Sequence, residues 1–405
     1  MDLPAIDIAM AVAGLSVGAL LFWPRLARAR LWRATITPLA SIIGSGFLIL
    51  GPILTDNFGT WAILAMAVLC LAGYLFGAAI RYNIERIDEP DADTALAGAL
   101  ERASSWALAF AYVISVAYYL NLFGAFAARI FGAPSEWLGR LITTGAYGLI
   151  LTAGLTRGFS LLERMEQLTV SIKLVVIAAL VAALAVHAQI EWDGHHLHTS
   201  GMKLGLAGSI QLMFGLIVTV QGFETSRYLG GHYSASEREA SMRLSQWIAT
   251  LIYLAYVVLL AVSFESGTFE LDDTAIIDLM RQVSPVLGPL LILAALSAQF
   301  SAAVADTNGS GGLVAELTRQ KAGMKPTYLA LVGAGLALTW LADVFQIVSY
   351  ASRAFALYYA IQSALAALRA WYGGDPAGRF IRCFGFGFLT LLGIAAALFG
   401  TAVES

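Results

Sequence analysis

Charged residues are scarce in this chain: only 13% of its 405 residues are Asp, Glu, Lys or Arg. A soluble domain carries roughly 25%, so that class is excluded. Hydrophobic residues make up 59% of the chain and the mean hydropathy is +0.75. Apolar runs of about 20 residues recur from one end to the other, the length that a membrane helix needs. Because the runs are continuous and do not alternate with polar residues, they exclude a β-barrel. We therefore predict an all-α polytopic membrane protein.

Cysteine and net charge are also low. The chain has two cysteines, Cys70 and Cys383, each in or at the edge of an apolar run. We therefore expect neither a disulfide framework nor a cysteine-based metal site. The net charge of -3 argues against a nucleic-acid partner. Phosphate loops, zinc-hydrolase spacings and nucleophile elbows are missing, so we expect no enzyme and no cofactor. The histidines in the loop 193–198 have no spacing that fixes a metal geometry, so no metal is predicted.

Twelve apolar spans are separated by polar joints, at residues 6–23, 36–54, 60–80, 105–128, 139–156, 166–187, 204–224, 244–264, 286–312, 326–341, 344–368 and 383–402. The positive charges near the first span follow it, whereas in a signal peptide they precede the apolar run. We therefore predict that the first span is a membrane helix with its N-terminus outside.

The orientation follows from the basic residues. Of the 24 Lys and Arg residues, 18 lie in one set of alternate joints and 4 in the other, while Lys173 and Arg353 lie within spans. Arginine-rich joints face the cytoplasm. This predicts a multi-pass plasma-membrane protein with both termini outside, and the compact loops favour a prokaryotic inner membrane.

Two spans are interrupted where a helix should be continuous. The second contains Ser41-Ile-Ile-Gly-Ser-Gly-Phe47, and the seventh contains Val220-Gln-Gly-Phe-Glu-Thr-Ser226. Paired broken helices in corresponding positions of two halves indicate a transporter binding site. The breaks are offset by roughly 180 residues, and the joint charges give the two halves opposite topology, which predicts an inverted repeat. The predicted boundaries are an extra helix with a basic loop at 1–34, five-helix repeats at 35–190 and 200–371, and a final helix at 379–405.

These motifs resemble the amino acid–polyamine–organocation (APC) transporter superfamily. Ile42-Ile-Gly-Ser-Gly-Phe-Leu48 is similar to its first-core-helix motif, and Gly222-Phe-Glu224 to its sixth. The resemblance covers most of 36–402 and implies a core of 5+5 helices, with broken first and sixth core helices and one further C-terminal helix. Residues 6–23 are an addition to that pattern, and the eighth core helix matches it poorly.

The breaks are the predicted substrate site. Amides exposed at Gly44 and Gly46 favour a carboxylate, and the resemblance implies the same role; the alternative is that these glycines only allow close helix packing. Glu224 is either functional or a structural carboxylate bonded to freed amides or to Arg227. The carbonyls beside it are candidate partners of a substrate ammonium, and the Phe223 ring is a candidate lid. The substrate-binding candidates are Ile43, Gly44, Ser45, Gly46, Tyr118, Tyr119, Gln221, Gly222, Phe223 and Glu224.

Lys173 is a lone cation inside the sixth span. In resembling proton-coupled transporters a lysine occupies the place of the sodium ion between the first and eighth core helices, so the resemblance implies proton coupling through Lys173. The alternative is that its ammonium snorkels to the interface. Ser297 and Ser301 lie one turn apart and are expected to face the same place. Asp306 and Arg227 are candidates for a gate.

The sequence therefore predicts a proton-coupled symporter of a small amino acid or a related amine or carboxylate, working by alternating access. Its partners would be this substrate, the proton and the lipid bilayer. One alternative keeps the fold and moves an inorganic cation or a metal. Another is a receptor or scaffold that transports nothing and docks a protein partner through residues 6–23.

Overall fold

All regular structure in the described part of the chain is helical, as predicted. The computed structural model describes residues 3–44, 46–86, 94–132, 135–156, 166–193, 200–229, 232–319, 321, 323–373 and 378–403. The first half contains α1 (Leu3–Leu21), α2 (Pro24–Ala27), α3 (Arg30–Ile42), α4 (Gly46–Phe58), α5 (Ala62–Glu85), α6 (Ala95–Ala128), α7 (Glu136–Thr156) and α8 (Glu166–Asp193). The second contains α9 (Leu206–Gly215), α10 (Ala235–Ser263), α11 (Ala275–Val283), α12 (Leu287–Leu317), α13 (Met324–Leu341), α14 (Val344–Gly373) and α15 (Arg379–Phe399).

Every predicted span coincides with a helix, or in the second and seventh spans with a broken one. Within the described ranges, seven helical stretches are long and apolar enough to cross a bilayer. The other predicted spans coincide with helices that are shorter or more polar, namely α1, α3, α9, α13 and α14. The chain is therefore a multi-pass α-helical membrane protein.

Equivalent elements of the two predicted repeats pack against one another. α5 packs on α10, α6 packs on α12, and each helix break contacts the other. Such pairing is what a two-fold axis between inverted repeats produces. α14 covers α5 and α6 from a third side, so the breaks lie at the centre of the bundle. α1 stands apart from this core and packs along α8.

Arg81, which the sequence places in a polar joint, is buried. Arg81 lies within α5, where its guanidinium donates to the Gln246 side chain of α10 and lies 4.6 Å from the centre of the Tyr74 ring. α5 thus runs five residues beyond its apolar span. A buried guanidinium with such partners can stay inside a helix bundle.

Candidate substrate site at the two helix breaks

The first break separates α3 from α4. α3 ends at Ile42 and α4 begins at Gly46; Ser45, a predicted site residue between them, lies outside the described residues. The end of a helix leaves four carbonyls without a donor in the helix. Two are satisfied locally, because the Ile43 amide donates to Leu39 at 3.0 Å and the Gly44 amide donates to Ser41 at 3.2 Å.

Side chains from other helices satisfy the remaining two carbonyls. The Lys173 ammonium of α8 donates to the Ala40 carbonyl at 2.9 Å, and the Tyr253 hydroxyl of α10 donates to the Ile42 carbonyl at 2.8 Å. Lys173 is only 6% exposed, so its ammonium is held in the bundle and does not reach the surface. It also lies at the negative end of the α3 dipole, where a cation is stabilised.

The second break follows α9. A turn of 3-10 helix at Ile217–Val220 leads into extended backbone at Gln221, and Gly222 has a φ of +118° before a second 3-10 segment at Phe223–Tyr228. Only glycine adopts that φ without strain. The positive φ therefore turns the chain out of one half-helix and into the next.

Two glycines bring the breaks into contact. A Cβ on Gly46 would lie 2.7 Å from the Cα of Thr219, and a Cβ on Gly222 would lie 2.6 Å from the amide nitrogen of Ile42. The close-packing role considered for the first glycine motif is therefore part of the structure. Close packing and the predicted substrate binding are compatible, because the close approach places the backbones of the two breaks side by side.

Tyr253 links the two breaks. Besides the Ile42 carbonyl, its hydroxyl lies 2.6 Å from the Thr219 carbonyl oxygen of the second break. The sequence offers no signal for this residue, because it is one of several aromatic residues in a continuous apolar span. Only the packing of α10 against both breaks distinguishes it.

Glu224 lies at the centre of the second break and is fully buried. One carboxylate oxygen accepts from the Gly222 amide at 2.9 Å and from the Tyr359 hydroxyl at 3.0 Å. The other oxygen has no hydrogen-bond partner among the described residues. The bond to the Gly222 amide is the one expected if Glu224 is a structural carboxylate. Its second oxygen nevertheless remains available to a proton or a ligand.

The Phe223 ring is buried against aromatic neighbours. It stacks on Tyr359 of α14 with ring centres 5.2 Å apart and an angle of 17° between the planes. Phe76 of α5 also stacks on Tyr359, with centres 5.2 Å apart. In this conformation Phe223 is therefore part of an aromatic stack beside Glu224, and its role as a lid stays a prediction.

Tyr119 of α6 contacts both breaks. Its hydroxyl accepts from the Gln221 side chain at 2.9 Å, and its ring lies beside Gly44, 3.7 Å from where a Cβ would stand. Tyr118 is also buried, and its ring centre lies 5.2 Å from that of Tyr119. Of the two tyrosines, Tyr119 has the more direct geometry for a role at the breaks.

The predicted serine pair lies on α12, which contacts both α3 and α8. Ser297 donates to the Leu293 carbonyl of its own helix at 2.9 Å, and both Ser297 and Ser301 are half-buried. Lys173 donates to the Ala40 carbonyl of α3. A shared role of the serines with Lys173 stays a prediction.

The candidate gate residues have separate partners. Arg227 forms an ion pair with Glu101 at the start of α6, and Arg369 of α14 lies 4.0 Å from the same carboxylate. Asp306 accepts from the Ser115 hydroxyl. The structure thus pairs Arg227 with Glu101 and not with Asp306. The sequence places Glu101 in a polar joint, so it gave no reason to pair it with a residue 126 positions away.

A second polar network closes the other end of α4. The buried Asp56 carboxylate accepts from the Lys203 ammonium at 2.6 Å and from the Gly267 amide at 3.1 Å. Its backbone carbonyl accepts from the Ser266 hydroxyl at 2.5 Å. Loops that follow α8 and α10 are thereby tied to the first broken helix on the side opposite Arg227.

The histidine loop at 194–199 lies outside the described residues. Within the described ranges, His, Cys, Asp and Glu side chains form no group of three or more that could hold a metal ion.

Comparisons with known proteins agree with this geometry. A family model described as APC superfamily transporter matches residues 24–400. An uncharacterized protein of Aquifex aeolicus (strain VF5) is 41% identical over 396 residues, which cover 94% of this chain and 93% of that protein. The chain therefore belongs to the APC superfamily of transporters.

Proposed function

We propose that this transporter moves a small amino acid, or a related amine or carboxylate, together with a proton by alternating access. The observation that carries the proposal is the contact between the two breaks, with Lys173 and Glu224 buried at their backbones. Ionisable residues inside a membrane bundle are costly, and they mark substrate and proton pathways.

The substrate class follows from the polarity of the breaks. The first amides of α4, from Gly46 onward, have no acceptor within the helix and attract a carboxylate. Across the contact, the free oxygen of Glu224 and the extended backbone at Gln221 suit an ammonium group. A molecule with both groups a few ångströms apart complements both halves of the site.

The proton would act through side chains that bond to the backbone of the breaks. A charged Lys173 forms a stronger hydrogen bond to the Ala40 carbonyl than a neutral amine does. An ionised Glu224 accepts from the Gly222 amide, whereas a protonated one also gains a donor. Protonation therefore changes the energy of each break, which is what coupling requires.

Alternating access would use the two networks around the breaks. The predicted topology places the pair Arg227–Glu101 on the cytoplasmic side of the breaks and the pair Lys203–Asp56 on the outer side. Both are closed here and the site residues between them are buried, so this conformation is occluded around the breaks. Opening of one network at a time would expose the site to one side.

The test is uptake into proteoliposomes of a series of labelled amino acids, with and without an inward proton gradient. We expect wild-type uptake of one class to be driven by the gradient. Lys173→Ala should abolish that drive while substrate exchange without a gradient persists, and Lys325→Ala, which removes an exposed lysine, should behave as wild type.

Three outcomes would contradict the proposal. Amino acid uptake that ignores the proton gradient in the wild type would refute coupling. Metal-dependent cation uptake without amino acid uptake would favour an ion transporter. Ligand binding without any flux would favour a receptor or scaffold.

A further inference from the structure

A large groove lies beside the added helix α1. Gly14 and Gly18 of α1 face α8, where a Cβ added to either would lie 3.5 or 3.6 Å from the Val175 side chain. Next to this contact, α1, α8 and α12 enclose a groove of about 930 Å³. Its walls are almost wholly apolar and include Ala11, Leu15, Ala19, Phe22, Ile172 and Leu290.

The groove has the length and the exposure of a site for a lipid tail. It runs along α1 from Asp7 to Phe22, about 22 Å at the rise of an α-helix. The hydrocarbon core of a bilayer is about 30 Å thick. Leu15 in its wall is 75% exposed, so the bundle leaves this face to the membrane.

The two ends of the groove differ in charge. At one end Asp7 accepts from the Ser284 hydroxyl at 3.0 Å. Just beyond Phe22 at the other end, four exposed arginines occur within nine residues: Arg25, Arg28, Arg30 and Arg33. Arg30 forms an ion pair with Glu237. The other three give this end a positive surface.

We propose that the groove binds an anionic phospholipid, with an acyl chain along α1 and α8 and the headgroup on Arg25 and Arg28. A basic cluster immediately after a membrane helix attracts anionic headgroups. The exposed Trp23 lies between the groove and the arginines, at the level where aromatic residues favour the interface. The carboxylate of Asp7 disfavours the opposite orientation.

Such a lipid would contact the helix that carries Lys173. Ile172 lines the groove, and the next residue bonds to the first break. A lipid bound in the groove would therefore press on the face of α8 opposite the first break and keep α8 in contact with it. This inference does not depend on the substrate or on the coupling ion.

The test is native mass spectrometry of the full chain with phosphatidylglycerol or with phosphatidylcholine of the same acyl chains. We expect the wild type to retain phosphatidylglycerol at least fivefold better. Arg25→Gln with Arg28→Gln should remove that preference, whereas Arg243→Gln with Arg319→Gln, which also removes two exposed arginines, should not.

The position of the chain is tested with a phosphatidylglycerol that carries a photoreactive group in its tail. We expect adducts on α1 and α8, lost in Ala19→Phe, which fills the groove, and kept in Val12→Phe on an exposed position outside it. Equal retention of both lipids by the wild type, or adducts spread over the whole surface, would overturn the proposal. A stoichiometric protein that displaces the lipid and is released by Ala19→Phe would assign the groove to a partner helix instead.

Discussion

At the scale of single residues, two side chains donate hydrogen bonds to carbonyls at the end of α3 that have no backbone donor in the ranges that the structure describes. Lys173 and Tyr253 each donate to a carbonyl at the end of α3. A buried polar group left unpaired costs about 1–3 kcal/mol. These contacts therefore explain how a helix can stop in the middle of a bundle without a large loss of stability.

Tyr253→Phe removes a hydroxyl that bonds to both breaks. We expect the free energy of unfolding to fall by about 1–2 kcal/mol, because the two buried carbonyls that share its single O–H proton lose that donor, and transport to fall with it. Thermal unfolding and uptake measure both effects. Tyr256→Phe is the matched control: it lies one turn away, and its hydroxyl makes only a 3.4 Å bond to Leu48. Equal losses in the two variants would show that the bridge has no special role.

Asp273, in the loop before α11, predicts a dependence of stability on pH. Burial, with the neighbouring Asp272 adding to it, raises the pKa of Asp273 to about 7. The folded chain thus holds this proton more tightly than the unfolded chain, where the pKa is about 3.9. The resulting stability is complete below about pH 4 and is lost as the pH rises through about 7.

Asp273→Asn imitates the protonated carboxyl. We expect its unfolding midpoint to exceed that of the wild type by about 2 °C at pH 8, with the difference vanishing toward pH 4. Scans of intrinsic fluorescence across this range measure it. Glu270→Gln, at an exposed position in the same loop, is the control. A difference that does not change with pH would contradict the assignment.

At the scale of elements, the two broken helices act as one unit because their backbones touch. Neither break is stabilised by its own hydrogen bonds alone: the first relies on α8 and α10, and the second relies on Tyr359 through Glu224. The glycines at the contact are needed for their lack of a side chain. The proposed binding of a carboxylate by their amides is a separate role and is compatible with this one, because it uses the backbone.

Gly46→Ala tests the contact. The new methyl group would lie 2.7 Å from the Thr219 Cα, and backbone cannot move aside as a side chain can. We expect a loss of about 1–3 kcal/mol or more in stability, typical of overpacking, and loss of uptake. Gly73→Ala is the control, since its methyl group would meet Val220 at an ordinary 3.5 Å. A Gly46→Ala variant with wild-type stability would mean that the breaks are farther apart than described.

At the scale of the whole molecule, the breaks lie between two polar networks. Arg227, Arg369 and Glu101 join α6, α14 and the second broken helix on one side. Asp56 and Lys203 join the first broken helix to a loop on the other. In the proposed alternating access these networks would open in turn, and their strength would set the balance between conformations.

Glu101→Gln should open the molecule on the Arg227 side. Two buried arginines would lose their counter-charge, and breaking such a pair is strongly destabilising. Cys70 is a native reporter, because it lines a small cavity of about 10 Å³ beside Ile42 and Tyr253.

In a Cys383→Ser background we expect maleimide to label Cys70 about tenfold faster in Glu101→Gln than in the parent, a shift of about 1.4 kcal/mol in the conformational equilibrium. Glu239→Gln, whose carboxylate pairs with the exposed Arg243, is the control. An unchanged rate of Cys70 labelling would show that Glu101 is not part of a gate.

The membrane class, the positions of the helices and the two breaks were predictable from the sequence, because each depends on local properties: apolar runs of a given length and glycines within them. The partners of the polar side chains were not. Tyr253 reaches Ile42 across 211 positions, and Ser115 reaches Asp306 across 191. Which face of a helix meets which neighbour depends on its rotation and tilt, and a continuous apolar span does not encode these in its own pattern.

The sequence by itself thus determined that this chain crosses a membrane many times and interrupts two of its helices. Only the tertiary structure decided that the breaks touch each other, that Lys173 and Tyr253 complete the end of α3, and that Arg227 pairs with Glu101. Apolar length and glycine position act within one segment, whereas a buried hydrogen bond needs two segments packed in one orientation.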